Sequence, residues 1–308
     1  RDARGASQWF RLQPPRGGPY ASRGSRRAPR GPLLAKEPRP RTLGRGHSLI
    51  VQRANFRAQR RFRMTTNFYA PPSALRGQRV VLPAEEARHV RTVLRGEEGD
   101  EITVVDGRGG WYRVEITHLT PEQGVGTIVE QRKDVGEPAV DVTVGLGVLT
   151  KRSRFETFVE KAVELGVRRI VPLRTERTER DSIREERLRK VMVAAMKQCR
   201  RSRLPGLAPP QSPAALVEAA EAEKTLVCHA GGDAVPIWQA VTETRRAASA
   251  LVLVGPEGGF APAEVSSIVG AGGTPVSLGA RRLRAETAGL AALQSVVGAY
   301  AGRHEGGD

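Results

Sequence analysis

Leu251-Val252-Leu253-Val254-Gly255-Pro256-Glu257-Gly258-Gly259-Phe260 decides how this chain folds. Four β-formers end abruptly at Gly255, and Gly258 and Gly259 permit backbone angles and close approaches that a Cβ would forbid. Such a loop can line a ligand with its own amides, although the same residues also suit an ordinary strand-to-helix turn. A second motif favours the ligand-binding reading: Ser277-Leu278-Gly279-Ala280-Arg281-Arg282-Leu283-Arg284-Ala285-Glu286-Thr287-Ala288. It repeats the plan, with a strand over 274–278, a glycine at the strand end, an Arg-rich loop, and Glu286 and Thr287 opening an Ala-rich helix over 286–301. Together the two read as a cofactor pocket. Its expected lining is Gly255, Pro256, Glu257, Gly258 and Gly259 from the first loop, and Leu278, Gly279, Leu283 and Thr287 from the second.

Upstream, the pattern is strand then helix, repeatedly. Apolar runs predict strands over 140–149, 169–173, 225–228, 250–254 and 275–278, with helices over 155–165 and 185–200. Phe155, Phe158, Val159, Ala162 and Val163 share one face of the first helix. Alternation of this kind means a parallel α/β sheet, whose ligands bind beyond the C-terminal strand ends, where both motifs fall. Gly145-Leu146-Gly147 lacks the last glycine of a dinucleotide fingerprint and is read as a strand end.

Residues 64–134 look different. Short alternating runs over 79–82, 101–105, 111–117 and 126–130, interrupted by a helix over 84–94, predict a small β-barrel. Asp106-Gly107-Arg108-Gly109-Gly110 could pass for a nucleotide-binding loop, but Trp111 to Thr117 alternates as a strand where that loop must open a helix. A hairpin turn is the expectation. Residues 133–138 read as the linker to a second domain over 139–304.

The formal charge of +17 is unevenly distributed. Residues 1–63 hold 17 Lys and Arg against Asp2 and Glu37, whereas the remainder holds 33 against 31. That Arg-rich extension, full of Pro and Gly and without periodicity, is expected to be disordered. Three readings of it stand: a transit peptide, an RNA-binding arm, or translation from upstream of a start at Met64. Within the folded part, residues 151–203 carry 17 basic and 8 acidic side chains, a surface suited to phosphates. Helix pairs such as Glu185 with Arg189 account for part of this. Arg200, Arg201 and Arg203 have no carboxylate nearby in sequence and are the better phosphate ligands, together with Lys151 and Arg154.

Other classes of function are poorly supported. Cys199 and Cys228 are too few for a disulfide framework, and the five His lack ligand spacing, so no metal is expected. No apolar run approaches the roughly 20 residues needed to span a bilayer. A cytoplasmic protein is the simplest reading.

The two C-terminal motifs resemble those of the bacterial ribosomal RNA small subunit methyltransferase E family, of the SPOUT superfamily. Further likeness lies in Lys151, Arg154, Lys161-Ala162-Val163-Glu164-Leu165-Gly166-Val167, Gln198-Cys199-Arg200-Arg201 and Leu204-Pro205, and in Phe68-Tyr69, His89 to Arg95 and Gly99-Asp100. The resemblance implies a PUA-like RNA-binding barrel followed by a SPOUT-type parallel sheet with a deep trefoil knot. The small residues of the last helix would suit such threading, and equally a tightly packed helix. It implies a homodimer that uses S-adenosyl-L-methionine to methylate N3 of a uridine in 16S ribosomal RNA, the family's target being uridine 1498. Arg284 and Glu286 are then the catalytic candidates, for carbonyl charge and the N3 proton. An Arg284 pair with Glu286 or Glu257 that merely shapes the loop fits the same residues. Lys197 stands where the common pattern has Glu, so any role of that carboxylate does not carry over. Two other functions compete: a non-catalytic RNA-binding ribosome-assembly protein with a degenerate pocket, and an α/β enzyme for a phosphorylated metabolite.

Overall fold

The computed structural model describes residues 66–179, 182–231, 233–243 and 248–301. The expectations for residues 1–63 and for Met64 lie outside them. The N-terminal part comprises β1 (Phe68–Tyr69), β2 (Leu75–Arg76), β3 (Arg79–Leu82), α1 (Ala84–Arg88), β4 (Glu101–Val105), β5 (Gly110–Leu119) and β6 (Gly124–Lys133). The helix expected over 84–94 is α1 continued by a wider π-type turn over His89–Val93. The strands form a sheet in the order β1-β4-β5-β6-β3-β2. Residues from both of its edges, Phe68 and Leu75, pack into one core with Val80, Val90, Ile102, Val114 and Ile116. The alternating runs that predicted strands are the inward and outward faces of this sheet.

The Gly-rich segment is indeed a hairpin turn. Val105 pairs with Trp111, and Asp106 Oδ1 accepts bonds from the Arg108 and Gly110 amides while its Oδ2 accepts one from the Tyr112 hydroxyl. Burial, then the Asp106 charge, raises the Tyr112 pKa, which keeps the hydroxyl a donor. The turn also docks on the second part of the chain: Gly109 N donates to Ser202 O at 3.1 Å and Leu204 N to Gly107 O at 3.0 Å.

That second part is a seven-stranded parallel sheet in the order β11-β13-β10-β12-β7-β8-β9. In chain order its elements are β7 (Asp141–Gly147), α2 (Arg152–Glu164), β8 (Arg169–Leu173), α3 (Glu185–Gln198), β9 (Gly206–Leu207), α4 (Pro213–Glu218), β10 (Lys224–Cys228), β11 (Val235–Pro236), α5 (Ile237–Glu243), β12 (Ser249–Val254), α6 (Pro262–Gly270), β13 (Thr274–Ser277) and α7 (Ala285–Ala301). Alternate residues of the central strands bury on opposite faces. Val142, Val144, Leu146, Val252 and Val254 meet α2, α3, α5 and α7, whereas Val171, Leu173, Leu251 and Leu253 meet Leu216 of α4 and Ile268 of α6. Both faces are covered, which is why these strands read as unbroken apolar runs.

The apolar stripe of α2 is buried as its spacing predicts. It faces α7, where a Cβ at Gly289 would stand 2.8 Å from the Phe158 ring. Gly289 of α7 therefore allows close packing between these two helices.

Candidate active site

The sheet order explains how two loops separated in sequence come together. β10 lies between β12 and β13, and all three run parallel. The loop after Val254 and the loop after Ser277 thus flank the end of β10 on the same edge of the sheet. Between them is a cavity of about 590 Å³, within the usual range for a small-molecule site. Gly255, Pro256, Glu257, Gly258, Gly259, Leu278, Gly279, Leu283 and Arg284 all line it. Thr287 is exposed on the first turn of α7 and is not in the lining, and Glu286 sits just outside it.

The glycine loop folds back on itself. A Cβ at Gly255 would stand 2.7 Å from both Gly259 C and Phe260 N, and Gly259 N donates to Pro256 O at 2.9 Å. Gly259 takes the left-handed backbone expected of it, with φ of 70°, while Gly258 faces the stem of Arg177. Two neighbouring strand-end loops hold the glycine loop in place. Thr150 N donates to Glu257 Oε1 at 3.2 Å, and Arg177 Nη1 donates to Gly258 O at 2.9 Å.

Charges around the cavity are unequal. Arg154, Arg177, Arg281, Arg282 and Arg284 line it against a single lining carboxylate, Glu257, a field that favours a polyanion at its mouth. Arg284 is exposed and makes no ion pair among the described residues, so the loop-shaping pair with Glu286 or Glu257 does not form. Arg154 takes that place instead, lying 3.7 Å from Glu286 and 4.0 Å from Glu257. The other Glu286 oxygen, Oε2, is buried with no partner among the described residues.

Cys228, His229 and Ala230, at the end of β10, and Arg177 also line the cavity and were missed from sequence. Their signal was positional, since β10 was a predicted strand and ligands of parallel sheets gather at such ends. Burial pushes the Cys228 thiol up to about 12, so at neutral pH it is protonated and unsuited to nucleophilic attack. Among the described residues no group of three or more His, Cys, Asp or Glu could hold a metal, and no helix is long and apolar enough to cross a membrane.

The expected phosphate ligands divide. Lys151 and Arg200 are exposed, and Arg203 pairs with Asp134. Arg201 must be corrected. It is buried, donates through Nε and Nη2 to Glu137 Oε2 and through Nη1 to the Val163 and Val167 carbonyls, and so cannot reach a phosphate. Glu137 also accepts the Ser202 and Arg203 amides on its other oxygen. This carboxylate, 64 residues away in sequence, is what the local charge pattern concealed.

Lys197 also acquires a role. Its Nζ lies 2.5 Å from Glu86 Oε1 in α1, across the junction between the two sheets, and both side chains are largely buried. Glu86 Oε2 is buried with no partner among the described residues. Lys197→Ala is therefore expected to strand a buried carboxylate and cost about 3 kcal/mol, a fall of roughly 6–12 °C in Tm for a chain of this size. Thermal unfolding checks this. The exchange Glu86→Lys with Lys197→Glu should recover most of the loss.

Comparison with known proteins agrees with this geometry. The family profile for an RNA methyltransferase domain matches residues 136–297, and that for an RNA methyltransferase PUA domain matches residues 82–129. The ribosomal RNA small subunit methyltransferase E of Synechocystis is 30% identical over 239 residues, spanning 76% of this chain and 78% of the relative. That of Mycobacterium tuberculosis is 30% identical over 241 residues, spanning 74% and 90%. The crystal structure of a ribosomal RNA small subunit methyltransferase E from Neisseria gonorrhoeae bound to S-adenosyl methionine superposes with a TM-score of 0.67 at 28% identity, covering 75% of this chain and 95% of that one. A Legionella pneumophila protein in complex with the bound cofactor SAM gives 0.66 at 28%, covering 77% and 98%.

Proposed function

The chain belongs to the ribosomal RNA small subunit methyltransferase E family, and from that premise we propose that it methylates N3 of a uridine in 16S ribosomal RNA, with S-adenosylmethionine as donor. The observation that carries the reading is the cavity itself, where both sequence motifs meet at the strand ends with an open guanidinium and a nearby carboxylate. A degenerate pocket in a non-catalytic assembly factor would have no reason to keep all of these.

The residues present suit this cofactor. Backbone of the Gly255–Gly259 loop, with Leu278 and Leu283, would hold it between an amide-lined wall and an apolar one. When bound, S-adenosylmethionine supplies an electrophilic methyl group. The chain's own residues must deal with the uracil. Loss of its N3 proton leaves negative charge spread over the two flanking carbonyl oxygens, and Arg284, which lines the cavity, is the group that would stabilise that charge in this scheme. Glu286, whose Oε2 has no partner among the described residues, is the proton acceptor in this scheme. Lys151 and Arg200 would take up RNA phosphates, as would Arg281 and Arg282 at the cavity's rim.

We further infer a SPOUT-type knot in the domain over 139–304, a homodimer, and action in the cytoplasm on the small subunit or its RNA. Mass mapping of 16S ribosomal RNA from a deletion strain should show the loss of 3-methyluridine at one position, restored by the wild-type gene. Loss of a different modified nucleoside would overturn the assignment.

A further inference from the structure

Three segments far apart in sequence converge on Arg154 of α2. Its Nε lies 3.7 Å from Glu286 Oε1 on the first turn of α7, and its Nη1 lies 4.0 Å from Glu257 Oε1 in the glycine loop. Glu257 in turn accepts the Thr150 amide from the loop leading into α2. The guanidinium is thus shared between two carboxylates, one from each motif, while it also lines the cavity. Its side chain is 27% exposed, and that of Glu286 only 12%.

We infer that Arg154 is a positioning residue for methyl transfer: it holds the Glu286 carboxylate at the pocket's edge and ties the glycine loop to the start of α7. The inference rests on the role proposed for Glu286. It departs from the expectation that Arg154 binds RNA, because two carboxylates within 4.0 Å already balance the charge of the guanidinium. Both separations exceed the roughly 2.7–3.2 Å of a direct N–H···O bond. Arg154 therefore acts through its charge and not through a bidentate fork, so a lysine should serve nearly as well, which would not hold at a fork-fork site.

The test is a double-mutant cycle in the full chain, with single-turnover methylation of 16S ribosomal RNA at saturating cofactor and RNA. Affinities for S-adenosylhomocysteine and RNA are measured separately. Arg154→Gln is expected to slow the bound-state step by about 30-fold, with both dissociation constants within about 3-fold of wild type, and Arg154→Lys to recover most of that rate. In a Glu286→Gln background the Arg154→Gln change should cost no more than about 3-fold further, because the group it positions is already gone. If the two losses multiply while Glu286→Gln alone is slow, Arg154 does not act through Glu286 and this inference fails by itself. A wild-type rate for Glu286→Gln would remove the proton-acceptor reading and this inference with it. An Arg154→Gln enzyme with a normal bound-state rate but weaker, less salt-dependent RNA binding would return Arg154 to the phosphate ligands.

Discussion

Valine at Gly255 is expected to abolish cofactor binding, weakening S-adenosylhomocysteine by at least ~100-fold, about 3 kcal/mol, while the chain remains folded. The added Cβ would stand 2.7 Å from backbone atoms of Gly259 and Phe260, so no side-chain rotation can relieve it and the loop must open. Opening conflicts with the Gly259 to Pro256 bond inside the loop and with the Thr150 and Arg177 bonds that hold it from outside. The loop that lines the cavity is therefore displaced as a unit. Gly255 belongs to none of the three buried apolar clusters, which is why the fold should survive. Alanine at Gly258 is the contrast. Its Cβ would meet only the Arg177 stem at 3.3 Å, a flexible neighbour that can give, and a loss under about 10-fold is expected. Calorimetry with S-adenosylhomocysteine, alongside a thermal melt, checks both. Equal losses for the two variants would mean that the loop's flexibility, not its close approach, matters.

How far the sequence carried the fold depends on the range of the interactions involved. β8 was read at its observed bounds, and the buried face of α2 residue by residue, because apolar runs and helical spacing are local signals. The hairpin at Asp106 was legible for the same reason. The short strands β9 and β11 and the helices α4, α5 and α6 were missed, being too brief for periodicity to register. The site divides in the same way. Motif glycines and Arg284 announce themselves in sequence, whereas Arg177, Cys228 and His229 enter the cavity only because the sheet order brings their strand ends alongside. Arg201 shows the limit most clearly: it is an apparently unpaired cation in its own segment, and its carboxylate partner belongs to the linker before β7. Lys197 and Glu86, 111 residues apart, could not have been paired by any local rule.

Arg284→Ala is expected to separate chemistry from binding. Bound-state methyl transfer should fall by ~100-fold or more, the usual consequence of removing a donor that stabilises charge in the transition state, while the dissociation constant for S-adenosylhomocysteine stays within about 3-fold. Two features of the structure favour this split. The Arg284 side chain lines the cavity without an ion pair among the described residues, so its removal leaves no carboxylate stranded. Its contribution to α7 is made by the backbone, where Arg284 O accepts the Ala288 amide at 2.8 Å, and alanine keeps that bond. Single-turnover rates at saturating RNA and cofactor, set against calorimetric affinities, read the two quantities independently. Were Arg284→Ala to abolish cofactor binding with no separate effect on the bound-state rate, the guanidinium would be holding the loop and not the developing charge. In that case the basic group facing the uracil would have to be sought among Arg281, Arg282 and Arg177, which share the cavity wall.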